Sequence, residues 1–380
     1  MLTESLALAA LGGLLGLVAA KAFLHLILAS GPPALVGAMP IALDGRALLF
    51  TAGGVLFTAV LAGLWPAWRA VSFNVRDGRG ITRGHRGARA ALAAAQVSIA
   101  AVLLIGSGLL LRSLLRVLEV DPGFDPRNLV SLSTQLPPEL SGQQRTNAYE
   151  ALRRALLAAP GVKSVSAVSR LPMLGSNLAS QLHIEGRPHE GAPPEVEFRA
   201  AAPDYFATMG IPIRSGRVFA ENDPPDQRVL VIDEALARRY FPGENPVGKR
   251  IRFAASQDGT WFTVAGVVGA IRHFGLEAEA RPTIYRPAAT NPLTAPILVI
   301  RVDGDAASLL PALTRIVRTA HGSLPAYNVL SLEELVSRSA AQRRFLASML
   351  SVFAFAALFF ACLGIYGTVA QSMAERTQEI

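Results

Sequence analysis

Residues 243–250, Gly-Glu-Asn-Pro-Val-Gly-Lys-Arg, come closest in this sequence to a phosphate-binding loop. They match GxxxxGK, but Arg250 stands where the motif needs a Ser or Thr hydroxyl on the magnesium ion. The context also runs backwards, from a helical pattern into a strand pattern, whereas a P-loop leads from strand into helix. A structural turn is the better reading. His183 and His189 stand six apart near Glu185 and Glu190, a spacing that sets no two imidazoles on one helical face, so metal ligation is the weaker reading. Glu195 and Glu197 alternate on a strand-like stretch, and Asp223 and Asp226 fall in a turn; both pairs read as solvated polar positions. There is no GxSxG elbow, no HExxH and no CxxC. The expectation is a chain with no catalytic, cofactor-binding or metal-binding residues of its own, and no enzyme.

The elements that would position such residues are unusual in composition. Of 380 residues, 51% are apolar and 17% charged, and mean hydropathy is +0.36. Soluble domains carry nearer a quarter charged residues, so a membrane class leads. The net charge of +8 is concentrated: residues 69–89 hold six Arg and one Asp, whereas residues 113–343 hold 25 basic and 23 acidic residues. A basic face spread over a domain is absent, which excludes nucleic acid as the partner. The one cysteine, Cys362, has no partner for an internal disulfide.

Three stretches carry no charge over 22 or more positions: 47–68, 90–111 and 345–374. About 20 apolar residues cross the hydrocarbon core as a helix, so each is long enough. A fourth run, 5–20, meets Lys21 and His25 before it resumes, and reads as a span whose far end sits at the interface. A signal peptide would need a basic start, which MLTES lacks. The arginines between the second and third runs, Arg69, Arg76, Arg79, Arg83, Arg86 and Arg89, place that loop in the cytoplasm by the positive-inside rule. Met1 is then inside, residues 31–46 outside, 113–343 outside, and the C-terminus inside; Arg343 and Arg344 disagree locally but are outnumbered.

Within the external segment, NLVSLSTQL and VKSVSAVS read as strands around a helix marked by Tyr149, Leu152 and Leu156. PILVIRV and YNVLSL bracket a second helix marked by Leu309, Leu313, Ile316, Val317 and Ala320, with Ser308 the candidate cap unless Pro311 starts it later. Two such units separated by an insertion suggest a split ferredoxin-like lobe, about 126–172 and 296–335, around a strand-rich lobe at about 180–290. In that insertion QLHIEG, EVEFRAA, RVLVID, KRIRFAA, TWFTVAGVVGAI and PTIYRP read as strands, PDYFATMG and EALARRYF as short helices. The fold class is therefore a membrane protein with α-helical spans and a large α/β extracytoplasmic domain.

Seven stretches carry a resemblance: LTESLALAALGGLLGL, LDGRALLFTAGGVLFTAVLAGLWPAWRA, ALAAAQVSIAAVLLIGSGLLLRSLLRVLEVDPGFDP, PDYFATMGIPIRSGRVF, VIDEALARRYFPGENPVGKRIRF, VAGVVGAIRHFGLEAEARPTIYRP and FACLGIYGTVAQSMAERTQEI. In this order they resemble bacterial ABC-transporter permeases of the FtsX-like, MacB-like family, and more closely its duplicated orphan permeases. The resemblance implies two helices closing a first half (1–68), a basic cytoplasmic loop (69–89), a helix (90–116), a periplasmic core domain (117–342), a second helix (343–374) and the start of a cytoplasmic coupling segment (375–380). The chain would begin inside the first half and stop before that segment is complete, as a fragment or truncated frame does.

By the same resemblance, ATP belongs to a separate cytoplasmic ATPase, and the permease relays its motion to the external domain for export or mechanotransmission. Glu375, Arg376, Thr377 and Glu379 map to the ATPase contact. The partners implied are that ATPase, membrane lipids, and a second permease half or periplasmic adaptor; the location is the bacterial inner membrane. The alternative is a membrane-anchored periplasmic interaction or sensor protein without transport. An external hydrolase on a tether has only the missing motifs against it.

Overall fold

A computed structural model describes residues 2–30, 45, 48–56, 60, 81–174, 178–187, 193–220, 223–224, 227–254, 259–320 and 324–377. The labelled elements begin with helices α1 (Leu2–Ser30) and α2 (Ile81–Leu118). Next come β1 (Leu129–Thr134), α3 (Gly142–Leu157), β2 (Val162–Val168), β3 (Ala179–Ile184), β4 (Glu195–Ala201), α4 (Tyr205–Met209) and β5 (Ile213–Gly216). Then follow β6 (Val229–Asp233), α5 (Glu234–Tyr240), β7 (Arg250–Phe253), β8 (Trp261–Val268) and β9 (Thr283–Pro287). The last are β10 (Ile297–Val302), α6 (Ala306–Thr319), β11 (Ala326–Ser331), α7 (Leu332–Ser339) and α8 (Ala341–Thr377). They form two compact units, Met1–Leu115 with Ala341–Ile380, and Arg116–Ala340.

In the first unit, Ala94–Leu118 of α2 and Ala341–Gly367 of α8 are long and apolar enough to cross a membrane. Their large apolar side chains, among them Ile105, Leu109, Phe355 and Phe359, point outward. The run expected at 5–20 lies within α1, where the apolar stretch Ala10–Ala22 is shorter. Residues 48–56 are helical, and most of the run expected at 47–68 lies outside the described residues. Helix α2 starts at Ile81, so Arg83, Arg86 and Arg89 stand on a helix and not in a loop. Alanine and arginine both favour helix, and this stretch has no proline to stop it.

In the second unit, one 11-stranded sheet carries the order β11-β1-β10-β2 at one end, all antiparallel. With α3 joining β1 to β2 and α6 joining β10 to β11, that is the split βαβ arrangement. Every residue of β1 is buried. Its alternation sends Leu129 to one cluster and Val130 and Leu132 to the cluster under the helices. Helix α3 starts at a capping box, Ser141 receiving the Gln144 amide while the Gln144 side chain accepts from Ser141. It buries Ala148, Tyr149, Leu152 and Leu156 with Leu313 and Val317 of α6. The cap of α6 is Asp305, not Ser308: its carboxylate accepts from the Ala307 amide at 3.0 Å, while Ser308 Oγ donates to the Asp305 carbonyl. Pro311 is accommodated inside the helix.

The insertion continues the same sheet. Val168 of β2 pairs with Ala201 of β4, and from there β3, β7, β8, β6 and β9 follow, with β4–β9 and β6–β8 parallel. Leu182, Val196, Leu230, Ile232, Ile251 and Val264 fill a cluster of the insertion's own. Another cluster mixes Leu129, Val168 and Val299 with Val231, Val268 and Tyr285. The expected two lobes therefore share a sheet and an apolar core. Strand β5 and helix α7 carry no sequence expectation; β5 is a short strand with mostly exposed side chains, and α7 buries only Leu332 and Leu335.

Candidate functional site

The phosphate-loop lookalike is a turn. It joins α5 to β7, with Gly243 and Gly248 at positive φ. Its amides are used locally: Val247 donates to the Asn245 side chain at 3.1 Å and Gly248 to the Val264 carbonyl at 2.8 Å. Lys249 lies 3.5 Å from Glu244, which also pairs with Arg187. No phosphate cradle remains. His183 sits on β3 opposite Arg252, and Glu185 pairs with Arg250; His189, Glu190 and Asp226 lie outside the described residues. Asp223 accepts from Arg217 and the Ala220 amide, and the Arg217 hydrogen bond chiefly holds its carboxyl below the usual range. Among the described residues no three His, Cys, Asp or Glu side chains form a metal-sized group.

What the structure builds instead is a junction where the chain comes off α2 and meets the sheet. Residues 121–127 read Asp-Pro-Gly-Phe-Asp-Pro-Arg. A Cβ on Gly123, at φ +88°, would run into the Ala270 carbonyl, so only glycine fits there. The Asp125 amide donates to the Met209 carbonyl at 2.9 Å, and the Arg272 amide to the Pro122 carbonyl at 3.0 Å. Arg301, from β10, then spreads its guanidinium over three carbonyls: Thr208 at 2.9 Å, Arg127 at 2.9 Å and Asp125 at 3.1 Å. Arg127 donates to Asp125, which keeps that carboxyl below its ordinary pKa. One side chain thus ties the leading segment to β10 of the split βαβ part and to α4 of the insertion.

The loop at 269–282 that receives this segment also seals a polar core. Arg272 satisfies the carbonyls of Leu276 and Ala278 at 3.3 and 2.6 Å. His273 turns inward to the Tyr285 hydroxyl at 3.4 Å, and Arg281 covers the Phe274 ring and reaches Glu197 at 3.7 Å. Parallel pairing of β4 and β9 sets Glu197 beside Thr283 and Arg199 beside Tyr285. Glu197 and Arg199 are 3.7 Å apart, and both are buried. Burial pushes the Asp233 carboxyl up to about 7, against the hydrogen bonds from the Leu236 and Thr283 amides that favour its charged form. Burial first, and the Arg199 charge second, hold His273 well below its ordinary value. A cluster this enclosed cannot meet a substrate; it orders the strands that meet there, where mispairing would strand a charge in the core.

The sequence flagged none of these residues as functional. The one signal was a lone arginine in an apolar strand, Arg301 in ILVIRV and Arg199 in EVEFRAA, a type almost never buried without partners. Of the residues mapped to ATPase contact, Glu375, Arg376 and Thr377 are the last helical residues of α8, and Glu379 lies outside the described residues, as do Arg69, Arg76 and Arg79.

The chain is 26% identical over 187 residues to the macrolide export ATP-binding/permease protein MacB of Aggregatibacter actinomycetemcomitans, covering 46% of this chain and 28% of that protein. It is 25% identical over 189 residues to the MacB of Neisseria meningitidis serogroup B, with the same coverage. The chain therefore spans less than a third of these relatives. Its structure is similar to the crystal structure of the periplasmic region of MacB from Actinobacillus actinomycetemcomitans, with a TM-score of 0.40 and 17% identity over 58% of this chain and 96% of that one. It is also similar to the extracellular domain of the ABC-type transporter YknZ from Gram-positive bacteria, with a TM-score of 0.35, 17% identity, and coverage of 53% and 100%. The family profile for the MacB-like periplasmic core domain matches residues 90–320, well over half of the sequence, and the chain belongs to that family.

Proposed function

We propose that this chain is the membrane and periplasmic part of an ABC-transporter permease, which relays the motion of a separate ATP-binding partner to its external domain. The observation that carries the reading is how the chain enters and leaves the sheet. β1, the first strand after α2, pairs with β11, the last strand before α7 and α8, with Val130 opposite Ser331. A domain whose first and last strands are neighbours is suited to taking up motion delivered through the two helices that flank it in the sequence. The junction around Arg301 supports the same reading, because it fastens the leading segment to two parts of the sheet at once. ATP would sit on the partner, and this chain would hold no cofactor. The basic stretch containing Arg69, Arg76 and Arg79 would lie in the cytoplasm and the Arg116–Ala340 unit in the periplasm. On the names of the relatives, the process would be export.

The test is reconstitution of the full protein in vesicles with the ATP-binding subunit encoded beside it. The expected result is faster ATP hydrolysis by the pair than by the subunit alone. A membrane-impermeant maleimide added to cells should modify a cysteine placed at Gly259 and spare one at Gly80. Labelling of Gly80 alone would reverse the orientation, and recovery of periplasmic partners without any ATPase would favour the sensor alternative.

A further inference from the structure

We infer that α2 and α8 form an antiparallel coiled coil locked in one register, so that they move as a single rod. On α2 the enclosed positions include Gln96, Ala100, Leu103 and Ser107, with Gly106, Ser113 and Leu114 beside them; on α8 they include Ala347, Leu350, Ala354, Ala357, Ala361 and Gly364, with Arg343, Met349 and Ser351. Along α8, Ala347, Leu350, Ala354, Ala357, Ala361 and Gly364 alternate in steps of three and four, and along α2 Gln96, Ala100, Leu103 and Ser107 do the same. A strict seven-residue repeat supercoils two helices left-handed, with knobs of one seated in holes of the other. Between Ala354 and Gly364 the enclosed α8 positions, Ala354, Ala357, Ala361 and Gly364, are all small.

Direct contacts fix direction and register. Gly106 faces Leu350, Ser107 and Ser351 share a hydrogen bond of 2.8 Å, Arg343 donates to the Ser113 hydroxyl at 2.6 Å, and Gly364 leaves room for the Gln96 amide. The partner number falls along α8 as it rises along α2, so the helices are antiparallel. Polar groups meet at two levels, Ser107 with Ser351 and Ser113 with Arg343. Apolar seams alone tolerate sliding, since lipid replaces one methyl contact with another. These two levels do not: a shift of one heptad, about 10 Å, would set Ser107 against Leu358 in one direction, and in the other would bring Arg343 level with Gly108, inside the apolar run. A guanidinium inside hydrocarbon is costly.

The inference rests on the permease reading only for its use, and its test is independent of that reading. In full-length protein carrying Cys362→Ser, in native membranes, mild oxidation should join Ser107→Cys to Ser351→Cys within one chain, identified as a linked peptide pair. The heptad-shifted pairs Ser107→Cys with Leu358→Cys, and Ser107→Cys with Arg344→Cys, should link at least about tenfold less, because their Cα atoms stand beyond disulfide reach. Ser113→Cys with Arg343→Cys gives a second in-register pair should the first variant fail to insert. Comparable linking of in-register and shifted pairs would overturn the lock, as would linking only between chains. Normal ATPase stimulation with a sliding pair would leave the function standing and sink this inference; a locked pair without any ATPase response would do the reverse.

Discussion

Leu132, on β1, is fully buried between sheet and helices, while Phe355, on α8, is 71% exposed and Ala354 beside it is covered. The two units invert each other. In the Arg116–Ala340 unit large apolar side chains face inward and small or polar ones outward, because water drives them together at about 25 cal/mol per Å². In the α2–α8 pair small residues and hydroxyls face inward and Phe, Leu and Ile outward. That arrangement is stable only where the surroundings are themselves apolar and close packing with polar contacts replaces the hydrophobic drive. Polar chemistry follows the same division. The sheet buries a full set of charges around Arg199, whereas the helix pair uses hydroxyls, one amide and a guanidinium at Arg343.

Truncation breaks the comparison most sharply. Leu132→Ala should lower the unfolding free energy of the sheet domain by about 2–5 kcal/mol, read from denaturant midpoints. Arg301→Met should cost about 1–3 kcal/mol, as three carbonyls lose their donor, and should raise hydrogen exchange at the Asp125 amide. An equal cost from Leu109→Ala on α2 would show that the helices are packed like the sheet.

The charged core gives the comparison a pH signature. Asp233 has a folded pKa of about 7 against 3.8 for an unperturbed carboxyl. Between those values the folded state binds more protons than the unfolded one, so this group's contribution is complete below about 4 and is lost as pH rises through about 7. His273, depressed by burial, acts oppositely: its contribution is present above about 6.5 and is lost as pH falls. Asp233→Asn should remove the decline in stability between pH 4 and 7, measured by thermal unfolding at several pH values. A slope that the substitution leaves unchanged would place the titration elsewhere.

Smaller effects sharpen the contrast. Ser141→Ala removes one half of the α3 capping box and should cost about 1 kcal/mol. Leu109→Ala, at a side chain 63% exposed on α2, should change domain stability by less than about 0.5 kcal/mol.

The strands and helices of the split βαβ part were legible because their signals are local. Alternation or a short apolar run marks β1, β2, β10 and β11, and the 3.6-residue spacing of Tyr149, Leu152 and Leu156 marks α3. The cap of α6 was misread because Ser308 and Asp305 both precede apolar residues, and only backbone geometry decides which side chain reaches a free amide. Strand β5 went unseen because IRSG buries almost nothing. Small residues mark the helix seam in part, at Gly106 and Gly364, but the rest leaves no signal: in a run that is apolar all round, no polar face marks the side that packs.

Composition and charge placement alone established long apolar helices around a mixed α/β domain, and they excluded nucleic acid and a magnesium–phosphate loop, since hydropathy and motif chemistry reside in consecutive residues. Only the tertiary structure decided that Arg301 would clasp three carbonyls, that Glu197, Arg199 and Asp233 would lie in one enclosed core, and that Ser107 would meet Ser351. Those pairings join residues far apart in the chain, and strand register and helix rotation, which set them, are fixed by the packing of the whole and leave no mark in any short window of sequence.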